Sequence, residues 1–262
     1  MSSALIGYTG YVGTTLLRQR QFEAVFRSTD IAGIENASYD CVVCAGVPAQ
    51  KWIANREPEA DLKNIERLMG HLETVCCGTF VLISTVDVFG NPAGVDENSI
   101  PDEAGLHPYG RHRLLLENFV KCRFENHLIV RLPGLVGPGL RKNVVFDFLN
   151  DNNLHAIDGR GVFQFYPMVN LWYDIRTALE AGLTLVHLTA EPVSVAQVSE
   201  EGFGRPFVNT LGGVAARYDF RSVHAPLFGG NGPYQYSRRE SVQAIRAYAQ
   251  SEPLTLKGAH QL

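Results

Sequence analysis

Short apolar runs alternate with segments of helical periodicity through the first half of the chain. The apolar runs are residues 4–8, 22–27, 40–45, 79–84 and 127–132. Between them, residues 58–74 and 110–122 repeat apolar side chains every three or four positions, which predicts helices. Strands that alternate with helices require right-handed crossovers, so this order predicts a parallel sheet with helices on both faces. We expect these two helices to cover one of the faces.

The second half of the chain is less periodic. The glycine- and proline-rich segment PGLVGPGLRKN begins after Leu132 and predicts that the chain leaves the sheet there. One more strand is expected at residues 183–188. Residues 200–236 have no strong periodicity, and this is typical of an irregular lobe. A last helix is predicted near residues 238–250, where Ser237 and Glu240 have the spacing of a capping box.

Composition limits the class of protein. A chain of 262 residues that is 45% hydrophobic can bury a sizeable core. The net charge of −4 and the lack of a long basic run argue against binding to nucleic acid or to an anionic membrane surface. No apolar leader and no run of 18 apolar residues is found, so we expect a cytoplasmic protein with a small-molecule ligand.

The five cysteines do not indicate a metal site or a disulfide framework. Cys41 and Cys44 fall in one predicted strand, where a spacing of three directs them to opposite faces and prevents chelation of a single metal ion. We therefore expect reduced, packed thiols and no bound metal.

The first apolar run leads directly into a glycine-rich turn, in ALIGYTGYVG. A buried strand that turns through Gly7, Gly10 and Gly13 into a helix allows backbone N–H groups and the helix dipole to meet a pyrophosphate. The sequence therefore predicts a dinucleotide site. The residues expected to contact the cofactor here are Gly7, Thr9, Gly10, Tyr11, Val12 and Gly13.

Two further motifs follow in a familiar order. STVDVFG spans residues 84–90 at the end of a predicted strand, and YGRHR spans residues 109–113. Together with the glycine spacing, they resemble the extended short-chain dehydrogenase/reductases, the NAD(P)-dependent epimerase/dehydratase family. The resemblance covers roughly residues 4–190. It implies a Rossmann-like doubly wound parallel sheet, with Thr85 as the hydroxyl that binds the substrate oxygen and Tyr109 as the acid/base.

The resemblance also divides the chain and extends the cofactor site. Residues 1–135 would form the dinucleotide-binding core, which residues 171–195 rejoin, and residues 136–170 and 196–262 would form a small substrate-binding lobe. Further cofactor contacts are expected from Ala45, Gly46, Ser84, Tyr109, Arg113 and Pro133.

The residue at the end of the second strand bears on cofactor choice. An acidic residue there prefers the free ribose hydroxyl of NAD, whereas an arginine accommodates the phosphate of NADP. This chain has Arg27 followed by Ser28, and its segment FRSTDI is similar to that of GDP-fucose synthases, which use NADPH. We expect NADP(H), with NAD(H) as the alternative if Arg27 is a solvated loop charge.

Position 113 departs from the family pattern. Residues four apart on a helix share a face, so a cation at position 113 is expected to lie near the Tyr109 phenol and to lower its pKa. The family has lysine there, and this chain has Arg113. Either Arg113 substitutes for the lysine in a working enzyme, or the protein binds a dinucleotide without catalysis. The adjacent His112 is expected to be a surface residue.

Other polar residues are candidates for the substrate. Asp87 aligns with the catalytic glutamate of sugar-nucleotide dehydratases, but it could simply cap a loop. Asn143 is expected either to contact the substrate or to cap a helix. Arg160, with Arg141 and Lys142, could bind a diphosphate or could be a solvated charge. Asp174 is expected to be structural.

The resemblance implies an NAD(P)-dependent epimerase, reductase or dehydratase that acts on a nucleotide-activated sugar or a related hydroxyl or keto compound. Family members commonly form homodimers through the helix that precedes the tyrosine and the helix that carries it, so a homodimer is expected here. The competing interpretation is a catalytically impaired NAD(P)-binding sensor or regulatory protein.

Overall fold

The computed structural model describes residues 2–254 and confirms the predicted α/β fold with a parallel sheet. The strands are β1 (Ser3–Ile6), β2 (Ala24–Phe26), β3 (Ser38–Cys44), β4 (Cys76–Thr85), β5 (Ala93–Val95), β6 (His127–Leu132), β7 (Gly134–Val136), β8 (Val162–Phe163), β9 (Phe165–Pro167), β10 (Leu185–His187), β11 (Val193–Ser194) and β12 (Asp219–Phe220). The helices are α1 (Tyr11–Gln19), α2 (Lys51–Arg56), α3 (Pro58–Leu72), α4 (Pro108–Arg123), α5 (Val144–Asn150), α6 (Leu171–Glu180), α7 (Val195–Gln197) and α8 (Arg238–Ser251).

The central sheet has six strands in the order β10-β6-β4-β3-β1-β2, and every neighbouring pair is parallel. The chain places β2 on one side of β1 and β3 on the other, so the strand order reverses between β1 and β3. Ligands of open α/β sheets bind in the crevice at the carboxyl ends of such strands. On this side of the sheet, β2 is the single strand beyond β1. A short helical turn, Ile31–Ile34, connects β2 to β3.

Each face of the sheet is covered by a pair of helices. Ile65 of α3 and Leu116 of α4 pack in one core cluster with Phe80, which confirms that these two helices share a face. On the other face, Leu16 of α1 and Ile175 of α6 pack in a second cluster. Burial of these apolar side chains is the main force that holds the layers together.

A smaller lobe forms a third cluster from α5, α7 and α8, in which Phe148 and Ile245 are buried. The capping box of Ser237 and Glu240 begins α8 as predicted. Within residues 200–236, which the structure describes in full, the only strand is β12, and it pairs with β5. This pairing places the lobe in contact with the segment that follows β4.

A buried polar network fixes β4 against α4. The guanidinium of Arg131 donates two hydrogen bonds to Glu117, at 3.0 and 2.6 Å, and the Ser84 hydroxyl donates to the same carboxylate at 2.5 Å. Arg131 also contacts the ring of His187 at 3.3 Å. Burial and the nearby Arg131 lower the pKa of His187 to about 3, so its ring is neutral at physiological pH. The network links β4, β6 and β10 to the helix that carries Tyr109.

The five cysteines are free thiols. Cys41 and Cys44 lie on opposite faces as predicted, because each packs in a different core cluster. The prediction of packed thiols is wrong for Cys76 and Cys122, which are exposed to solvent. Cys76 is the first residue of β4, and Cys122 lies in the last turn of α4. Within residues 2–254, no three His, Cys, Asp or Glu side chains gather into a metal site. No helix in that range combines the length and hydrophobicity needed to cross a bilayer.

Candidate functional site

The glycine turn lies at the reversal point of the sheet and has no room for side chains. Gly7 has a φ of +85°, and a Cβ atom there would lie 2.4 Å from the Ala45 carbonyl oxygen. A Cβ atom on Gly13 would lie 2.1 Å from the Gly7 carbonyl oxygen, and one on Gly46 would lie 2.8 Å from the side chain of Ile6. These close approaches bring β1, β3 and α1 together in a cradle that leaves no room for a side chain at Gly7, Gly13 or Gly46.

The first turn of α1 opens into this cradle. Gly10 is the extended N-cap residue and provides no side-chain cap, while Thr9 and Gly10 are exposed. The first N–H groups of a helix have no partner within the helix, and its dipole favours an anion. Tyr11 is turned away, because its hydroxyl donates to the Gly137 carbonyl at 3.1 Å.

A cavity of about 170 Å³ continues from the glycine turn between the sheet and α3. Its lining includes Gly7, Gly46, Arg27 and Ser28, so four of the predicted cofactor residues meet there. The Arg27 side chain is half-exposed and lies 3.5 Å from Asp30.

The same cavity contains residues that the sequence interpretation missed. Asn64, Arg67 and His71 of α3 also line it, and Arg67 is a second guanidinium beside Arg27. The spacing of these three positions places them on one face of α3, and this spacing was the feature of the sequence that could have indicated them.

Thr85 and Tyr109 are brought together at the carboxyl end of β4. The Thr85 hydroxyl oxygen accepts a hydrogen bond from the Asp87 amide at 3.2 Å, and the same side chain is near enough to the Tyr109 phenol to lower the pKa of that phenol. Tyr109 itself is buried near the start of α4, where its amide donates to Asn55 at 3.0 Å. Gly110 permits this approach, since a Cβ atom there would lie 2.1 Å from the Asp87 carbonyl oxygen.

Arg113 is buried beneath Tyr109. Its guanidinium carbon lies 4.0 Å from the centroid of the Tyr109 ring. One terminal nitrogen donates to the Asp61 carboxylate, and the other donates to the Pro48 carbonyl. The cation is therefore held by α3 and by the loop after β3.

The prediction for His112 is wrong. Its ring is buried and Nδ1 lies 2.8 Å from Asp61, because α3 covers the face of α4 that would otherwise meet solvent.

The expected lowering of the Tyr109 pKa is also wrong as a net effect. Burial raises the pKa of the phenol above its usual value of 10, and the nearby Asp87 carboxylate raises it further. The positive charge of Arg113 lowers it, as expected, but does not outweigh burial. Tyr109 is therefore a neutral phenol at neutral pH.

Asp87 is part of an ion pair that the sequence did not reveal. Lys51 Nζ lies 2.8 Å from Asp87 Oδ1, and the Tyr218 hydroxyl lies 3.3 Å from the same oxygen. Lys51 is the first residue of α2, and Tyr218 directly precedes β12 in the lobe. Three separate parts of the chain thus meet beside Tyr109. No local spacing relates them, so no motif could have found them.

Two more titratable groups lie close to this ion pair. His107 caps α4 by accepting from the Gly110 amide at 3.0 Å, and burial together with Lys51 lowers its pKa. Lys142 donates to the Ala49 carbonyl, and burial lowers its pKa although the Asp87 charge opposes this effect.

The remaining predicted residues lie in several settings. Ser84 donates its hydroxyl to Glu117 of α4, and Pro133 follows β6 at its carboxyl end. Asn143 caps α5, one of its two predicted alternatives, and its amide nitrogen donates to Leu135 at 2.9 Å. Arg160 pairs with Asp158 at 2.7 Å within the lobe.

Asp174 is buried and structural, as expected. It accepts hydrogen bonds from the hydroxyls of Tyr166 and Tyr236, at 2.5 and 2.8 Å. These contacts join α6 to β9 and to the segment before α8.

Comparison with known proteins gives a clear result for the fold. No family model matches the chain, and no curated protein matches it. Solved structures do match. A dTDP-4-dehydrorhamnose reductase from Clostridium acetobutylicum is 18% identical with a TM-score of 0.74, and the match covers 95% of this chain and 99% of that one.

Two other solved structures are similar over nearly the whole chain. The UDP-glucose 4-epimerase from Thermotoga maritima, in a structure with UDP-glucose, is 16% identical with a TM-score of 0.71, covering 95% of this chain and 99% of that one. A double mutant of the dTDP-glucose 4,6-dehydratase from Streptomyces venezuelae, in a structure with NAD, is 15% identical with a TM-score of 0.72, covering 96% and 98%. The chain therefore has the Rossmann-like fold of these enzymes, and the resemblance drawn from its motifs is confirmed at the level of the fold.

Proposed function

We propose that the chain is an NAD(P)-dependent oxidoreductase, epimerase or dehydratase that acts on a nucleotide-activated sugar or a related small hydroxyl or keto compound, with Tyr109 as acid/base. The observation that carries the proposal is that Thr85 and Tyr109 lie together at the same sheet edge as the glycine cradle, because the Asp87 backbone bonds to Thr85 and packs against Gly110. The reductase, epimerase and dehydratase of the same fold act on nucleotide sugars, as their names state.

The cofactor would be held by the cradle around Gly7, Gly10 and Gly13, with its adenosine end in the cavity beside Arg27. When bound, a nicotinamide dinucleotide supplies or accepts a hydride at a substrate carbon. NADP(H) is the preferred form in this proposal, because Arg27 and Arg67 both line the cavity and arginine pairs well with phosphate. NAD(H) is the alternative.

The chain's own chemistry is a proton transfer. The Tyr109 phenol is neutral at pH 7, so it donates its proton to a substrate oxygen as negative charge develops there. Thr85 would donate a hydrogen bond to the same oxygen. The raised pKa of Tyr109 favours reduction of a keto group as the step that this site begins.

A second candidate function is a dinucleotide sensor without turnover. The observation that favours it is the engagement of Arg113 with Asp61 and Pro48, because a cation bound to both is less free to contact a cofactor ribose than the family's lysine.

A turnover panel tests the proposal and separates these functions. The full chain is incubated with dTDP-, UDP- and GDP-sugars and with each cofactor in its reduced form, NADPH or NADH, and in its oxidised form, NADP⁺ or NAD⁺, while nicotinamide absorbance and sugar products are followed. Net cofactor oxidation identifies a reductase, and a new sugar without net oxidation identifies an epimerase or dehydratase. Tight cofactor binding with no product from any sugar would overturn the enzymatic proposal in favour of the sensor.

A further inference from the structure

Two cations near Tyr109 differ in how they are bound. Arg113 lies under the ring face, and its terminal nitrogens are occupied by Asp61 and Pro48. Its planar guanidinium is thus fixed in a structural contact. Lys51 comes from a different element, and its side chain is 40% exposed.

Lys51 is held in place by the Asp87 carboxylate, which Tyr218 also contacts. Its Nζ atom lies 2.8 Å from Asp87 Oδ1, and the Tyr218 hydroxyl contacts the same carboxylate oxygen at 3.3 Å. Burial opposes the charge of Lys51, but the ion pair with Asp87 and the nearby Tyr218 hydroxyl together raise the pKa of Lys51. The ammonium therefore stays charged, and Asp87 provides the balancing negative charge.

We propose that Lys51 and Asp87 form a coupled charge pair that controls how readily the Tyr109 phenol gives up its proton. In this arrangement Lys51 is a positioning residue. It provides an ammonium near the phenol, whereas the residue at position 113 provides a guanidinium. The inference rests on the proposed function, because it assumes that Tyr109 is the acid/base.

The two members of the pair act on the phenol with opposite signs. A positive charge stabilises the phenolate and a negative charge destabilises it. The pair lies beside Tyr109, because Asn55 of α2 accepts a hydrogen bond from the Tyr109 amide at 3.0 Å and the Asp87 carbonyl packs against Gly110. Lys51 accordingly lowers the pKa of Tyr109, whereas Asp87 raises it.

The other groups around the Tyr109 ring do not include a second pair with opposite effects on the pKa of the phenol. Arg113 and the Thr85 hydroxyl both lower the pKa of Tyr109. His107, whose ring centroid is 6.1 Å from that of Tyr109, is kept neutral at pH 7 by its lowered pKa. Lys142 faces Asp87 and is bound to the Ala49 carbonyl. Asp61 is paired with Arg113, so Asp87 is the carboxylate that raises the pKa of the phenol.

The experiment measures the Tyr109 titration directly, without turnover. A 3,5-difluorotyrosine is incorporated at position 109 of the full chain, so that the phenol titrates in a pH range where the protein is folded, and ¹⁹F NMR follows its ionisation. We expect Lys51→Met to raise the titration midpoint and Asp87→Asn to lower it. Lys51→Arg, which keeps the charge, should restore the original midpoint.

Two additional variants make the test decisive. Lys51→Gln is a second neutral substitution and must shift the midpoint in the same direction as Lys51→Met. Lys121→Met removes an exposed lysine at the far end of α4 and should leave the midpoint unchanged. If Lys51→Met and Asp87→Asn leave the midpoint unchanged, or move it in the same direction, the inference is overturned.

Turnover provides a second readout once a substrate is known. In the pH profile of kcat, Lys51→Met should shift the limb that reports Tyr109 to higher pH, and Lys51→Arg should reverse the shift. The two proposals can fail separately. Absence of turnover with every sugar contradicts the proposed function, whereas an unresponsive ¹⁹F titration in an active enzyme contradicts only the role of Lys51.

Discussion

The guanidinium of Arg113 stacks on the ring of Tyr109, with its carbon 4.0 Å from the ring centroid. A cation in this position is attracted to the ring by about 0.5 to 2 kcal/mol, depending on desolvation. Asp61 holds the guanidinium from α3, so Tyr109 is positioned through a chain of contacts that crosses two helices. A lysine ammonium is not planar and could not provide the same stack together with two hydrogen-bonded partners.

The Arg113–Asp61 pair predicts a large loss of stability when it is broken. Both side chains are more than nine-tenths buried, so Asp61→Asn leaves a buried charge without its counter-ion. The free energy of unfolding should fall by about 3 kcal/mol, measured by urea denaturation. Replacing both members, with Asp61→Asn and Arg113→Met, should recover part of the loss. Glu180→Gln, which breaks the exposed pair with Arg176, is the control and should change little. An unchanged urea midpoint for Asp61→Asn would contradict this account.

Two glycines of the turn are predicted to respond differently to the same change. A Cβ atom at Gly13 would lie 2.1 Å from the Gly7 carbonyl oxygen, so Gly13→Ala should cost about 2 kcal/mol or more of folding stability. A Cβ atom at Gly10 has an ordinary contact of 3.4 Å with the same oxygen, so Gly10→Ala should fold normally. Because the methyl group would point into the cradle, Gly10→Ala should still weaken cofactor binding. Thermal unfolding and cofactor titration of both variants check this, and equal stability for the two would count against the cradle geometry.

The two arginines of the cavity predict the cofactor preference. A charge-assisted hydrogen bond to phosphate contributes about 1.5 to 3 kcal/mol, so Arg27→Ala and Arg67→Ala should each raise the Kd for NADPH roughly tenfold or more. The Kd for NADH should hardly change, because NADH lacks the phosphate. Fluorescence titration with both cofactors measures the difference, with Arg239→Ala on the exposed start of α8 as the control. Equal affinity for NADPH and NADH, unaffected by Arg27→Ala, would remove the NADP assignment.

Asp174 predicts a pH dependence of stability. Burial raises its pKa from 3.8 to about 6, although the hydroxyls of Tyr166 and Tyr236 partly oppose the shift. The folded state therefore binds this proton more tightly than the unfolded state, and the resulting stabilisation is complete below the unfolded pKa. It is lost as the pH rises through about 6, by a total on the order of 2–3 kcal/mol. Asp174→Asn should flatten this part of the stability profile, as measured by denaturation at several pH values. A variant with the same slope as the original protein would show that Asp174 does not cause it.

The elements that could be predicted are those with a local signal. The five apolar runs and the further strand expected at residues 183–188 became the six strands of the central sheet, since a buried strand needs little information beyond its own sequence. The glycine turn was equally readable, because the close approach of Gly13 to Gly7 leaves no alternative residue. Thr85 and Tyr109 were found because their motifs keep a fixed order along the chain.

The parts of the site that could not be predicted depend on distant contacts. Lys51 and Tyr218 are 36 and 131 residues from Asp87, and no spacing rule relates them. His112 was assigned to the surface because its helix position does not reveal that Asp61 covers it. The pKa of Tyr109 was assigned the wrong sign because the sequence shows the nearby cation but not the degree of burial.

The central claim, that Tyr109 transfers the proton, is tested most directly by Tyr109→Phe. The variant is compared with the original protein for turnover of whichever nucleotide sugar the panel identifies, and for the Kd of the cofactor. Loss of a general acid typically costs 10²- to 10⁴-fold in rate, so kcat should fall by roughly that factor while cofactor affinity is retained. Undiminished turnover by Tyr109→Phe would contradict the account.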